Sequence, residues 1–172
     1  MPAKLKSLNL NLPFGLGGVT VEIGQAERIA AWKLYVEMST RIATQPLSAD
    51  VGSVREALNS LHSLFGITRE ILKEAGPEIG HGPTGFGALA IQILNDGLRP
   101  FLSKWHAAYG RFETEQAFEL IRQHDLKPPP MNLVQQSSWP DVDTFFAELE
   151  EKRLGLTTYI GELSRIAGVE ME

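Results

Sequence analysis

"LNDGLRPFLSKWHAAYG", residues Leu94 to Gly110, decides the fold, because a proline interrupts an otherwise regular helical rhythm. Leu94, Leu98, Phe101, Leu102, Trp105 and Tyr109 recur at steps of three and four, the spacing that gathers side chains on one helix face. The stripe runs back to Phe86, Leu89, Ala90 and Ile93 and forward to Phe112. Pro100 removes one backbone hydrogen bond and crowds the carbonyl of Asp96, four residues earlier. Either one helix kinks near "DGLRP" or two helices meet end to end. The unbroken stripe predicts the kinked helix.

Upstream, "SVRE" has the form of a capping box, Ser53 and Glu56 satisfying two otherwise unpaired amides. It opens the clearest amphipathic run of the chain: Val54, Ala57, Leu58, Leu61, Leu64, Phe65, Ile71, Leu72 and Ala75, stopped by Gly76 and Pro77. Before it, Ile29, Trp32, Val36, Ser39 and Ala43 share one face, widened by Leu34, Tyr35, Met38 and Ile42, and Pro46 ends the helix. Downstream, "TEQAFELIRQHDL" reads as a helical continuation or an extra short helix. "KPPPMNLVQQSSWP" reads as an extended, proline-rich connection. The last helix starts near Asp141, with Val142, Phe146, Leu149, Leu156, Ile160, Leu163 and Ala167 facing inward and Gly168 as cap. Arg153 falls on that inward spacing, where either a carboxylate or carbonyl partners it or, as the leading expectation, its stem lies along the core with its head in water.

The first residues change period. Leu8, Leu10 and Leu12 alternate with polar residues, as do Val19, Val21 and Ile23, and "PFGLGG" lies between them. That is a β-hairpin with one apolar face. The expected fold is therefore mainly α: an antiparallel four-helix bundle with an N-terminal β-hairpin and a kinked third helix. It forms a single domain, 1–172, with the hairpin in 1–24 and the bundle in 25–172.

Composition narrows the function. The 172 residues carry a formal charge of −5, against the footprint of a nucleic-acid binder. No cysteine is present, which removes disulfides, thiol nucleophiles and thiolate metal sites. No apolar run reaches the ~18 residues of a membrane span, and Asn9 and Asn11 break up the start as a signal peptide. The expected setting is cytoplasmic, without a membrane partner.

Catalytic signatures are scarce. "GLGG", Gly15 to Gly18, lacks the lysine of a phosphate loop and shapes a turn. Neither HExxH nor GxSxG occurs, and of the four histidines only His81 follows a glutamate by three residues, Glu78, in a glycine- and proline-rich loop where no helix face gathers ligands, so neither a metal nor a cofactor is expected. Arg55, His62 and Arg69, seven apart, form one line along the second helix, read as a solvated face with glutamates nearby. His81 and His124 have no visible companion on a helix face.

Arg99 and His106 are also seven apart and share a polar helix side with Gln92, Asn95, Asp96 and Ser103. "RPFLSKWH" resembles the motif of the HEPN family, an arginine and a histidine separated by four to six residues. Many members of that family of helical bundles are metal-independent endoribonucleases. The resemblance implies Arg99 and His106 as catalytic residues of a site shared between two protomers, imidazole moving protons and guanidinium stabilising phosphate charge. RNA is a partner only on this alternative. The leading expectation is a non-enzymatic interaction module, accessory or regulatory. Leu8, Leu10, Leu12, Val19, Val21 and Ile23 would serve a protein partner or self-association through the hairpin, whose strand edges would extend a sheet from a second chain. Asp96, paired to Arg99 across three residues, would present a further polar contact face.

Overall fold

The structure is a computed structural model and describes residues 6–50, 52–124 and 134–169. Strands β1 (Lys6–Leu12) and β2 (Gly17–Ile23) form an antiparallel hairpin. Helices α1 (Gln25–Ser39), α2 (Val54–Ala75), α3 (Phe86–Gln92), α4 (Arg99–His124) and α5 (Val142–Ala167) follow. A π-helical segment, Ile93–Leu98, joins α3 to α4 without a break, so these two form one rod of a four-helix bundle. The "TEQAFELIRQH" stretch continues α4, whereas residues 127–133 of the proline-rich connection lie outside the described residues.

Side-chain pairs fix the direction of each rod. Lys33 of α1 pairs with Glu74 of α2 while Arg41 meets Ser63, so the two helices run antiparallel. Arg55 pairs with Glu113 while the rings of His62 and His106 lie 5.7 Å apart, which sets α2 against α4 in the same sense. Arg28, early in α1, donates to the carbonyl of Ala167 at the end of α5 (3.4 Å). Between α4 and α5 stands an aromatic cluster: Phe101 to Phe145 at 5.6 Å, Trp105 to Phe145 at 5.6 Å, and Trp139 against Trp105 and Tyr109 at 5.4 and 5.0 Å. Trp105 Nε1 donates to Glu148 Oε2 (2.8 Å), so the polar atom of this buried indole is satisfied.

Every apolar residue of the stripe from Phe86 to Phe112 is buried. The irregularity near "DGLRP" takes the form of a π turn, whose i→i+5 bonding spaces the carbonyls more widely just before the proline. At the start of α2, Ser53 Oγ accepts from Glu56 N (3.3 Å), and Gln136 Oε1 accepts from Val54 N (2.9 Å), a cap supplied by the described end of the proline-rich connection. Arg153 takes the carboxylate-partnered alternative at the surface, with two bonds to Glu150 (2.7 Å each) one helical turn away.

The first helix is rotated relative to the sequence reading. Ala30, Ala31, Leu34 and Met38 are buried, while Ile29, Trp32 and Val36 are 46%, 46% and 39% exposed. α1 lies against both α2 and α5, and the small side chains of Ala30 and Ala31 permit that close approach where Trp32 would not.

The hairpin also corrects the sequence reading. Leu10, Leu12, Val21 and Ile23 are buried in the chain's own core and Leu8 and Val19 are half-buried against it, so the apolar face is not a partner-facing surface. Each such side chain gives about 1.5–3 kcal/mol when fully buried, and α5 lies under β1 to receive them. The outer edge of β1 is occupied too. Asn11 N donates to Glu162 Oε1 (3.1 Å), and Asn9 O accepts from Arg165 Nη1 (3.1 Å), the two side chains being bonded to each other on α5.

The turn supplies the anchor. The four-residue turn Pro13–Leu16 is closed by Leu16 N donating to Pro13 O (3.3 Å), and its central residues Phe14 and Gly15 both have positive φ (60° and 80°), a region in which a phenylalanine is strained. Its ring lies directly over Gly97 of the π segment and Gly155 of α5, where any Cβ would collide with it. Lys152 Nζ stands 5.4 Å from the ring centre. Gly155→Ala is therefore expected to lower stability by about 1–3 kcal/mol in chemical denaturation, through overpacking. In a Phe14→Ala background the same change is expected to raise stability by up to about 1 kcal/mol, because alanine is the better helix former. Equal effects in both backgrounds would disprove the interlock.

Candidate functional site

Two lines of residues that look unrelated in sequence face one another across a cleft between α2 and α4. His62, Phe65 and Arg69 come from α2, and Arg99, Leu102, Ser103 and His106 from α4; together they enclose a cavity of about 300 Å³. The antiparallel pairing of the helices makes this possible, since residues seven apart on each return to the same side. A second cavity of about 540 Å³ shares Phe65, Arg69 and Arg99 and continues over Leu72, Pro77, Ile91 and Leu94. No aspartate or glutamate lines either one.

Arg99 is held by neutral partners. Its Nε and Nη2 donate to Asn95 Oδ1 (3.1 and 2.9 Å), and its guanidinium carbon lies 5.0 Å from the centre of the Phe65 ring. The expected Asp96–Arg99 pair is not formed: Asp96 is exposed on the π segment, and Asn95, four residues before Arg99, takes the guanidinium. Among the described residues no carboxylate lies within ion-pairing distance of Arg69 or Arg99, whereas Arg41, Arg55, Arg122, Arg153 and Arg165 are each paired with a glutamate.

His106 stands edge-on to His62, 5.7 Å between ring centres. Desolvation lowers its pKa from the ordinary imidazole value, the neighbouring His62 lowers it further, and a hydrogen bond to the Leu58 carbonyl opposes both. His81 lies outside this cleft, bordering a separate cavity with Glu78 and Phe86. Among the described residues no three His, Asp or Glu side chains are grouped as a metal site requires.

The opposite side of α2 carries a feature missing from the sequence reading. Trp32 and Val36 of α1 and Ile67 and Ile71 of α2 form a groove of about 710 Å³, rimmed by Lys33, Glu37, Glu70 and Glu74. The signal was present in α1 as a second apolar face, one position removed from the face that packs inward. Among the described residues no helix is long and apolar enough to cross a membrane.

The lowered His106 pKa has a definite sign for stability. Through the window just below the ordinary histidine pKa, the folded chain binds fewer protons than the unfolded one, so stability falls as pH drops. His62, Arg69 and Arg99 line the same cavity as the imidazole, and of these His62 acts in the same direction as desolvation. His106→Gln is expected to shrink the difference in melting midpoint between about pH 7.5 and about pH 5. An unchanged difference would show that His106 titrates as a free imidazole.

No family model, no curated protein and no solved structure matches the chain, so the cleft and the groove are read from their own residues.

Proposed function

We propose that this chain is a non-enzymatic protein-interaction module whose docking surface is the groove between α1 and α2. One observation carries the reading: Ile29, Trp32 and Val36 form a helical stripe left 39–46% exposed beside an apolar groove. A contiguous apolar face rimmed by charge is the usual mark of a protein contact, and a tryptophan at its centre is the residue type that most often dominates such contacts. The rim carboxylates are each paired within the chain, Glu37 with Arg41, Glu70 with Lys73 and Glu74 with Lys33, so the fitting partner is an amphipathic helix held by its apolar face. Selection from a displayed library of helices is expected to enrich sequences with an apolar stripe at steps of three and four. Their affinity is expected to fall at least about tenfold for Trp32→Ser, as loss of an interface hot spot implies. Enriched binders indifferent to Trp32→Ser would overturn the reading.

A second reading, the metal-independent ribonuclease, is favoured by the way Arg99 and His106 line one cavity with His62 opposite. Two imidazoles at that separation could act as base and acid on either side of a phosphodiester, with guanidinium stabilising the charge. This reading expects RNA cleavage that survives EDTA and disappears in His106→Ala. Intact RNA after incubation with the wild-type chain would remove it.

A further inference from the structure

We propose that the α2–α4 cleft binds an amphipathic organic phosphate, its phosphoryl group between Arg69, Arg99, His62 and His106 and its apolar body over Phe65 in the adjoining cavity. The inference depends on neither reading above, because binding requires no cleavage and the docking groove lies on the other side of α2.

The first argument is charge. The chain as a whole is acidic at −5, yet Arg69, Lys73 and Arg99 are the only ionised side chains around the two cavities, and none is an acid. Lys73 is neutralised by Glu70 at 3.0 Å, but Arg69 and Arg99 have no carboxylate within reach among the described residues. Two arginines without acidic partners that line one cavity together leave an uncompensated positive potential there, and cleft walls concentrate it.

The second argument is the number of donors. One guanidinium satisfies a carboxylate in a two-pronged fork. Here two guanidiniums, two imidazoles and the hydroxyl of Ser103 converge on one cavity of about 300 Å³. That is more than a carboxylate can accept, and it suits the terminal oxygens of a phosphate monoester. Asn95 and the Phe65 ring hold Arg99 in place without neutralising it.

The third argument is the neighbouring space. The larger cavity of about 540 Å³ opens off the same arginines and is walled by Phe65, Leu72, Pro77, Ile91 and Leu94. Ile91 is 50% exposed there, an apolar cost that a bound hydrocarbon or aromatic body would remove. A few convergent polar groups at one end of an apolar cavity is the usual construction of a small-ligand site.

The test uses 1-naphthyl phosphate, 1-naphthol and inorganic phosphate, titrated into the full chain and followed by the imidazole resonances of His62 and His106. Naphthyl phosphate is expected to give saturable shifts at lower concentration than inorganic phosphate, and naphthol to leave the imidazoles unmoved. Arg69→Gln and Arg99→Gln are each expected to weaken naphthyl phosphate at least about tenfold. Arg111→Gln removes the same charge outside the cleft and is expected to have little effect. Ile91→Ser is expected to weaken naphthyl phosphate while leaving inorganic phosphate unchanged. Absence of saturable shifts, equal affinity for the two phosphates, or equal losses in Arg99→Gln and Arg111→Gln would each overturn the proposal. Retained helical circular dichroism in the variants separates loss of binding from loss of fold.

Discussion

The fold depends on one aromatic ring seated between two glycines. Phe14 adopts a left-handed backbone conformation that its side chain disfavours, and it does so at the tip of the hairpin, where its ring reaches both Gly97 and Gly155. That contact joins three elements remote in sequence: the turn, the π segment and α5. It places β1 along α5, which puts Leu10 and Leu12 in the core and brings Asn9 and Asn11 to Arg165 and Glu162. It also rests on the segment that leads directly into Arg99. The hairpin is therefore part of the bundle's interior, and the geometry of the cleft is tied to it through a single helical turn.

How much of this the sequence revealed depended on whether one residue had one possible environment. The stripe from Phe86 to Phe112 has a single apolar face, and all of it is buried as its spacing implies. The alternation of Leu10 and Leu12 with asparagines fixed which face of the hairpin is apolar, but periodicity carries no information about what covers that face. α1 was misread because it has two apolar faces, and only the presence of α2 and α5 on either side selects the one with alanines. The π turn was hidden because Pro100 is compatible with several ways of relieving the same clash. Spacing alone puts both Asn95 and Asp96 within reach of Arg99, at four and three residues, and does not choose between them. The cleft was invisible for a simpler reason: Arg69 and Arg99 meet only once two helices are packed, and each line of polar residues viewed alone is an ordinary wet face.

α2 is the shared wall of both surfaces. His62, Phe65 and Arg69 face the cationic cleft, while Ser63, Gly66, Ile67, Glu70 and Glu74 face the apolar groove with α1. The two sets interleave along the same few turns, so a shift of this helix along its axis or about it would alter both at once. Lys73, bonded to Glu70, joins the rim of one surface to the wall of the other. The acidic balance of the chain is thus unevenly distributed: glutamates rim the groove with α1, and none lines the two cavities with α4. Near this helix, sign of charge is a property of face rather than of molecule.

The occupied edge of β1 has a further consequence. Because Asn9 and Asn11 turn their backbone groups toward Arg165 and Glu162, their partners in the register, Thr20 and Gly18, turn theirs away from the hairpin. The ion pair that fastens the hairpin to α5 thus also occupies the backbone groups of β1 that a neighbouring strand would otherwise take, and that edge of the sheet is closed by the chain's own helix.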